Sequence, residues 1–268
     1  MAYNVPQVVL GRTGLTVTRL GIGGAYCKTV DGYRAALDCG INYVDTARSY
    51  RDGEDEKTIG QAIQDRRDSL ILATKTLKRD AAGARKELET SLRLLGTDHI
   101  DIYQLHHLNT QAERELALGS GGAIEAVQKA REDGLIRFIG VTGHDWAQVQ
   151  QAVATGLFDT VLCWYNCAMK EPERTVFPEA RAHNVGVVIM NASRNDKLFG
   201  GANSPPPEQF YRYVISHEAV HVTVMGLRNV ELFRQIASAL SKRSVLTPQE
   251  KVDMEAYGAR MRALGKLA

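Results

Sequence analysis

The chain has 268 residues, of which 44% are hydrophobic and 24% are charged, and its formal net charge at pH 7 is +2. This composition is typical of globular proteins, and the interspersed charges argue against a nucleic-acid-binding arm or a basic membrane-binding patch. We see no secretory leader, no bilayer-spanning apolar stretch and no cysteine spacing typical of a zinc or thioredoxin site. These features predict a cytoplasmic protein with a small-molecule partner, no nucleic-acid partner and no membrane partner.

Short apolar runs rich in β-branched residues alternate with amphipathic segments along the chain. A hairpin turning at Thr13-Gly14 is predicted before them. Eight of the runs have the length and continuity of strands that are buried on both faces, as in a parallel sheet. They lie at residues 19–24, 42–47, 70–75, 100–106, 136–143, 160–166, 186–191 and 221–227.

Helices are predicted between these strands and after the last of them. The amphipathic segments at 84–96 and 121–134 each end in glycine, the usual residue at a helix C-terminus. A capping pattern from Thr247 to Glu250 predicts a last helix that runs to Ala268. Alternating strands and helices predict an α/β fold, a (β/α)8 TIM barrel with an N-terminal β-hairpin and a C-terminal helix, in a single domain of residues 1–268.

An open doubly wound sheet is the alternative fold. Such a sheet usually carries the spacing Gly-x-Gly-x-x-Gly after its first strand, where it binds a dinucleotide. The stretch from Gly21 to Tyr26 does not have that spacing. The barrel is therefore the favoured fold.

Residues 217–221 read His-Glu-Ala-Val-His, which on a helix is the signature of a zinc protease. That site needs both histidines on one helix, with the glutamate activating a metal-bound water. The β-branched run that begins at His221 is needed as the eighth strand, and no later histidine supplies a third ligand. We interpret the motif as a helix end and its turn, predict no metal site, and keep a zinc hydrolase as a less favoured hypothesis.

Polar residues stand at the carboxyl ends of the second, third and fourth predicted barrel strands. The second strand ends in Asp45-Thr46-Ala47, with Tyr50 shortly after it, and the third and fourth end at Lys75 and His106. Each of them alone has an ordinary structural explanation, such as a helix cap, a packed ring or a solvated charge. Because the carboxyl ends of barrel strands converge, four such residues on three adjacent strands predict a catalytic site.

These four side chains suit the protonation of a carbonyl oxygen. A free tyrosine has a pKa of about 10, and a neighbouring ammonium favours the phenolate and lowers that pKa. Asp45 is expected to keep Lys75 charged and oriented, and His106 to hydrogen-bond a substrate oxygen beside Tyr50. The set predicts proton donation to an oxygen that gains negative charge as a hydride reaches its carbon.

Several segments of the chain resemble the aldo-keto reductase family, over essentially its whole length. LGRTGLTVTRLGIGG is similar to that family's opening hairpin and first strand, and INYVDTARSY, LATKT and DIYQLHH are similar to its catalytic segments. The resemblance implies that Asp45, Tyr50, Lys75 and His106 are catalytic. It also implies an NAD(P)H-dependent oxidoreductase that reduces an aldehyde or ketone, with NADPH extended across the barrel mouth and no Rossmann fold.

The resemblance further implies a cofactor site at the ends of strands one, five, six, seven and eight. The expected cofactor-binding residues are Gly23, Gly24, Thr142, His144, Asn166, Met190, Asn191, Ser193, Arg194, Leu198, Gly226, Leu227, Arg228, Asn229 and Arg234. Three positions depart from the family pattern: Leu162 replaces a glutamine, Leu232 a basic residue and Ile236 an asparagine. The resemblance places the pyrophosphate beside Asn191, Ser193, Arg194 and Leu198. It places the adenine and 2′-phosphate in the segment after strand eight, where Arg228 and Asn229 are expected to hold phosphate. The expected cofactor is NADP(H), with NAD(H) as the alternative.

The substrate pocket is predicted from residues near the barrel mouth. Tyr26, His106 and Trp146 are its expected lining, whereas His107 is expected to point away because side chains alternate along a strand. The short mouth loops suggest an open pocket for sugars or other polar carbonyls. A cofactor-binding sensor with little turnover is the alternative function, and the expected assembly is a monomer or weak homo-oligomer.

Overall fold

Eight parallel strands close into a barrel in the computed structural model, which describes residues 2–200 and 203–265. Each barrel strand pairs with its neighbours in chain order, and the last pairs with the first. The hairpin strands are β1 (Gln7–Val9) and β2 (Thr16–Thr18). The barrel strands are β3 (Leu20–Gly23), β4 (Tyr43–Asp45), β5 (Ile71–Thr76), β6 (Ile100–Leu105), β7 (Ile136–Thr142), β8 (Thr160–Trp164), β9 (Gly186–Met190) and β10 (Val222–Gly226).

Helices surround the barrel and follow its strands. They are α1 (Val30–Leu37), α2 (Glu54–Ile63), α3 (Ala81–Leu95), α4 (Gln111–Leu118), α5 (Ala123–Glu132), α6 (Trp146–Ala154), α7 (Val176–Ala182), α8 (Pro207–Ile215), α9 (Val230–Lys242) and α10 (Pro248–Ala263). Local sequence explains their ends: Asp80 caps the start of α3, and Gly96 ends it in the left-handed region at φ 63°. Thr247 and Glu250 form the predicted capping box of α10.

The core has two layers. One lies inside the barrel, where inward side chains such as Tyr43, Ile102 and Val222 pack together. The hairpin closes the barrel floor, because Leu10 and Val17 belong to the same interior cluster. The larger layer fills the space between the strands and the surrounding helices. The closed floor leaves the opposite end, at the carboxyl ends of the strands, as the place for a site.

The structure confirms the predicted (β/α)8 barrel, its N-terminal hairpin and its C-terminal helix. The observed strands are shorter than several predicted ones; β8, for example, ends at Trp164 rather than at residue 166. The predicted last helix extended to Ala268, and residues 266–268 lie outside the described part of the chain.

The His-Glu-Ala-Val-His stretch does not lie on one helix. Helix α8 ends at Ile215, and the chain turns before β10 begins at Val222. His221 accepts a hydrogen bond from the Val187 backbone N–H through Nδ1, at 3.0 Å. Within residues 2–200 and 203–265, no three His, Cys, Asp or Glu side chains are placed to share a metal ion. The helical geometry that a zinc protease requires is therefore absent from this motif.

In the described part of the chain, no helix combines the length and the apolar character needed to cross a bilayer.

Candidate active site

A cavity of about 250 Å³ opens at the carboxyl ends of the barrel strands. This volume lies just below the usual range for small-molecule sites, roughly 300–1,000 Å³. Its lining comprises Gly23, Gly24, Tyr26, Asp45, Tyr50, Lys75, His106, His107, Thr142, His144, Leu162, Trp164, Met190, Asn191, Asn195, Val224 and Gly226. All four predicted catalytic residues therefore meet in one cavity.

A buried ion pair forms the base of this cavity. Lys75 Nζ lies 2.6 Å from Asp45 Oδ2 and donates a second hydrogen bond to the Thr46 carbonyl oxygen at 2.5 Å. Only 1% of Lys75 and 3% of Asp45 is exposed. The same ammonium lies 4.9 Å from the centre of the Tyr50 ring. The His106 ring meets Tyr50 edge to face, with centroids 5.9 Å apart.

Tyr50 is presented by a strained turn between β4 and α2. Arg51, Asp52 and Gly53 all have positive φ, at 51°, 55° and 93°. Consecutive left-handed residues persist only where surrounding contacts hold them. Arg48 supplies one such contact by donating to the Asp52 carbonyl oxygen at 2.9 Å. The turn places the Tyr50 ring against the Lys75 ammonium.

The pKa values of Lys75 and Asp45 are set by their burial and by the charged groups beside them. Burial alone favours a neutral Lys75, but the adjacent Asp45 carboxylate and the Tyr50 phenol outweigh it, so the pKa of Lys75 is raised. Burial raises the pKa of Asp45, and Lys75 and Gln104 offset part of that rise. The lysine is therefore an ammonium at neutral pH.

The pKa of Tyr50 is shifted in the direction opposite to the one expected from the sequence. Burial raises the pKa of its phenol, and the Lys75 ammonium cancels only part of that rise. The pKa of Tyr50 consequently lies above its ordinary value rather than below it. The phenol stays protonated near neutral pH, which suits the donation of a proton.

His106 is neutral at neutral pH. Burial lowers its pKa well below the usual range, and nearby Lys75, His107 and His144 lower it further. Its Nδ1 has no hydrogen-bond partner among the described residues. A neutral imidazole orients a substrate oxygen by hydrogen bonding, whereas the proton itself has to come from another group.

His107 lines the cavity, so the expectation that it points away was wrong. Strand β6 ends at Leu105, and His107 adopts a left-handed backbone with φ 57°, which breaks the alternation of side chains. Its ring stands 4.1 Å from that of His106 and 4.3 Å from that of His144. His144 in turn stacks on Trp164 at 4.4 Å. These rings form one wall of the cavity.

Several predicted cofactor residues lie in the cavity, and others support it from behind. Gly23, Gly24, Thr142, His144, Met190, Asn191 and Gly226 line it. Asn166 is buried behind the lining and donates to the Asn191 carbonyl oxygen at 3.0 Å. Its place is thus to position Asn191, whose backbone is left-handed at φ 63°.

The loop after β9 borders the cavity. Ser193 lines a small adjoining cavity of about 40 Å³ and donates to Asp196 Oδ1 at 2.9 Å. Arg194 lies with its guanidinium 4.4 Å from the Trp164 ring centre. Leu198 is fully buried in the core, where its carbonyl accepts from Tyr257, and this corrects its expected place beside the cofactor.

The segment after β10 carries the other predicted phosphate contacts. Leu227 is buried in the core, and Asn229 caps α9 by accepting from the Leu232 N–H at 3.0 Å. Arg228 lies 4.1 Å above the Tyr26 ring and 3.6 Å from Asp196 Oδ2. The Arg228 guanidinium therefore already has an acidic neighbour at this rim position.

Two predicted residues lie elsewhere. Arg234 is on the outer face of α9, 3.8 Å from Glu231, in a groove apart from the cavity. One helical turn past the cap, the helix has rotated it away from the barrel mouth. Trp146 packs against the core and donates through Nε1 to the Trp164 carbonyl oxygen at 2.9 Å. Trp164, rather than Trp146, lines the cavity.

Gln104 and Asn195 belong to the site but were not predicted from the sequence. Gln104 Nε2 donates to Asp45 Oδ1 at 2.8 Å inside the barrel. A glutamine within the apolar run 100–106, two residues before His106, was the available signal. Asn195 accepts from the Tyr26 hydroxyl at 3.1 Å. No local pattern marked Asn195, since its role depends on a contact with a distant loop.

Comparison with known proteins agrees with this architecture. The model of the aldo/keto reductase family matches residues 25–206. Aldo-keto reductase YhdN of Bacillus subtilis is 34% identical over 211 residues, which are 70% of this chain and 62% of that protein. A solved aldo-keto reductase from Bacillus halodurans, in its holo form, superimposes with a TM-score of 0.81 at 24% identity, covering 94% of this chain and 96% of that one. An aldo/keto reductase from Klebsiella pneumoniae in complex with NADP and acetate gives 0.78 at 25% identity, covering 94% and 95%. The chain belongs to the aldo/keto reductase family.

Proposed function

We propose that this protein is an NAD(P)H-dependent oxidoreductase that reduces an aldehyde or ketone to an alcohol, with Tyr50 as the general acid. The observation that carries the proposal is the buried Lys75–Asp45 pair, 2.6 Å apart, set beside the Tyr50 ring and facing His106. An isolated buried ammonium is unfavourable, and this one is held where charge develops on a reacting oxygen.

Each residue has a distinct task in this proposal. Tyr50 donates its phenolic proton to the carbonyl oxygen as that oxygen becomes an alkoxide. Lys75 stabilises the phenolate that remains, and Asp45 keeps Lys75 charged. His106, neutral, hydrogen-bonds the same oxygen and fixes its position. The hydride for the carbonyl carbon would come from a reduced nicotinamide held in the same cavity.

The cavity lining fits the nicotinamide end of such a cofactor. Gly23, Gly24 and Gly226 present backbone without side chains, so a flat ring can approach closely. Met190 offers an apolar surface, and Thr142, His144 and Asn191 offer hydrogen-bonding groups for a carboxamide. Leu162 also lines the cavity and makes no such bond. The small volume leaves room beside the ring for a small carbonyl compound, and the polar His107 and Asn195 favour a polar one.

The binding test is a fluorescence titration of the protein with NADPH and with NADH. Trp164 lines the cavity, so binding of either is expected to quench tryptophan emission. Turnover across a panel of small polar aldehydes and ketones follows with the tighter cofactor. Absence of binding by both cofactors contradicts the proposal.

A cofactor-binding sensor with little turnover is the second candidate, and the apolar Leu162 in the cavity favours it. It predicts tight binding and slow cofactor exchange without steady-state turnover on the carbonyl panel. The intact Asp45, Tyr50, Lys75 and His106 set favours the enzyme. Ready turnover decides between the two.

The pH dependence of reduction follows from Tyr50. Because the pKa of Tyr50 is raised above its ordinary value of 10.0, the phenol is protonated through neutral and moderately alkaline pH. The reduction rate is therefore expected to stay constant as pH rises from neutrality and to fall only above pH 10. Measurement of steady-state kcat from neutral pH to above pH 10 tests this expectation. A fall centred near neutrality would show that another group supplies the proton.

The Asp196 carboxylate is expected to lower the affinity of the protein for NADPH relative to NADH. Its carboxylate lies 3.6 Å from the Arg228 guanidinium, where the family resemblance places the 2′-phosphate, and like charges repel. Asp196→Asn should tighten NADPH roughly fivefold and leave NADH nearly unchanged. The control is Glu231→Gln, an exposed carboxylate at the start of the same α9 helix that pairs with Arg234. Equal tightening of both cofactors in Asp196→Asn would contradict this explanation.

A further inference from the structure

Gln104 is a buried amide in the upper part of the barrel interior. It is 1% exposed and lies on β6 between the inward-facing Ile102 and His106. Its Nε2 is 2.8 Å from Asp45 Oδ1, while Lys75 Nζ holds the other carboxylate oxygen. Each carboxylate oxygen of Asp45 therefore accepts a hydrogen bond. One donor is the charged Lys75 ammonium, and the other is the uncharged Gln104 amide.

The surroundings leave this amide little freedom. A Cβ at Gly140 on β7 would lie 2.7 Å from Gln104 Cγ and 2.6 Å from Thr160 Oγ1, so the glutamine stem occupies the space that this glycine leaves. A carboxylate only accepts hydrogen bonds, which requires the amide nitrogen to face Asp45. The contact is thus directional and shielded from water.

We propose that Gln104 is a positioning residue that keeps Asp45 ionised and oriented, so that Lys75 remains an ammonium beside Tyr50. The inference rests on the proposed function, since it takes Tyr50 as the proton donor that this ammonium serves. It adds a residue that does not touch the substrate or the cofactor and acts through Asp45 alone.

The groups around Asp45 explain why the hydrogen bond from the uncharged Gln104 amide affects its ionisation. The titratable groups that face it are Lys75 on β5, Asp55 on α2, Tyr43 on its own strand and Tyr50 in the following turn. Burial raises the pKa of Asp45, and Asp55 adds to that rise, while Lys75 and Gln104 oppose it. Removing the Gln104 donor should therefore raise the pKa of Asp45 further.

The activity test replaces Gln104 with methionine, which has a similar shape and no donor. Because Asp45 would then be protonated more readily, the loss of turnover on acidification should begin at higher pH, by roughly one pH unit. The Kd of the cofactor should stay unchanged. Thr160→Val is the matched control: its hydroxyl adjoins the same glycine and has no hydrogen-bond partner among the described residues, so it gives no hydrogen bond to Asp45. An unshifted acid limb in Gln104→Met overturns the proposal.

A measurement of folding stability tests the coupling between Gln104 and Asp45 without requiring turnover. The destabilisation by Gln104→Met should be full at neutral pH, where Asp45 is ionised, and should shrink as pH falls through the raised pKa of Asp45. In an Asp45→Asn background this pH-dependent part should vanish. A loss of stability that is independent of pH, or equal in both backgrounds, indicates mere packing and overturns the inference.

These two readouts separate the inference from the proposed function. If the protein binds no cofactor and reduces no carbonyl, the proposed function fails, while the pH dependence of stability still accepts or rejects the Gln104–Asp45 coupling. If turnover is ready but neither readout shifts, only the inference fails. Gln104→Asn, whose shorter chain keeps the amide but withdraws it from Asp45, carries the same expectations should the methionine variant not fold.

Discussion

Tyr50→Phe is expected to lower carbonyl reduction by roughly 10²- to 10⁴-fold, the range that a general acid contributes. The change removes one oxygen atom from a ring that faces Lys75 and His106 in the cavity. Neither neighbour can donate the proton in place of Tyr50. His106 is neutral, and Asp45 raises the pKa of Lys75 although burial by itself would lower it. Steady-state kcat with a saturating cofactor measures the loss.

The cofactor affinity of Tyr50→Phe should remain close to that of the wild type, since the ring itself is retained. The matched control is Tyr103→Phe, which removes the hydroxyl of a tyrosine buried outside the cavity. That control should keep its turnover. Undiminished turnover in Tyr50→Phe would remove Tyr50 as the proton donor and leave the assigned mechanism without its acid.

Lys75→Met is expected to reduce both stability and turnover. It leaves the Asp45 carboxylate buried without its counter-ion, and breaking such a pair typically destabilises a protein by about 3–5 kcal/mol. The lost ammonium also removes the stabilisation of the Tyr50 phenolate. Denaturant unfolding and kcat measure the two losses separately.

The stability loss of Lys75→Met should depend on pH. Without Lys75, burial keeps the folded-state pKa of Asp45 above its unfolded value, so protonated Asp45 is favoured in the folded protein. The variant should therefore be least destabilised at pH values below the unfolded pKa, and should lose stability as pH rises through the folded pKa. A loss of equal size at acid and neutral pH contradicts this account.

A double variant separates the ion pair from the chemistry. Asp45→Asn combined with Lys75→Met removes both charges and should recover most of the stability, while turnover stays low. Arg137→Met is the control for a buried carboxylate elsewhere: it removes one of the two guanidinium partners of Asp101, at 2.7 Å, and leaves Arg67 at 2.9 Å. This control should keep its turnover.

The barrel, the closing hairpin and the last helix could be predicted from the amino-acid sequence alone. Continuous apolar runs, glycine helix ends and the Thr247–Glu250 capping box are local signals, and each specifies its element without reference to distant residues. The meeting of Asp45, Tyr50, Lys75 and His106 in one cavity could also be predicted, because a barrel brings the carboxyl ends of adjacent strands together whatever its loops do.

The walls of the cavity and the protonation state of Tyr50, by contrast, depend on how the folded chain packs. His107 lines the cavity because its backbone leaves the strand in a left-handed conformation, and Gln104 reaches Asp45 across strands that are 59 residues apart in sequence. Arg228 meets Asp196 only because two separate loops converge. The pKa of Tyr50 lies above 10.0 rather than below it because burial, a property of the whole packed site, outweighs the lysine that the sequence revealed. Strand-end positions follow from chain periodicity, whereas desolvation and contacts between loops exist only once the chain is folded.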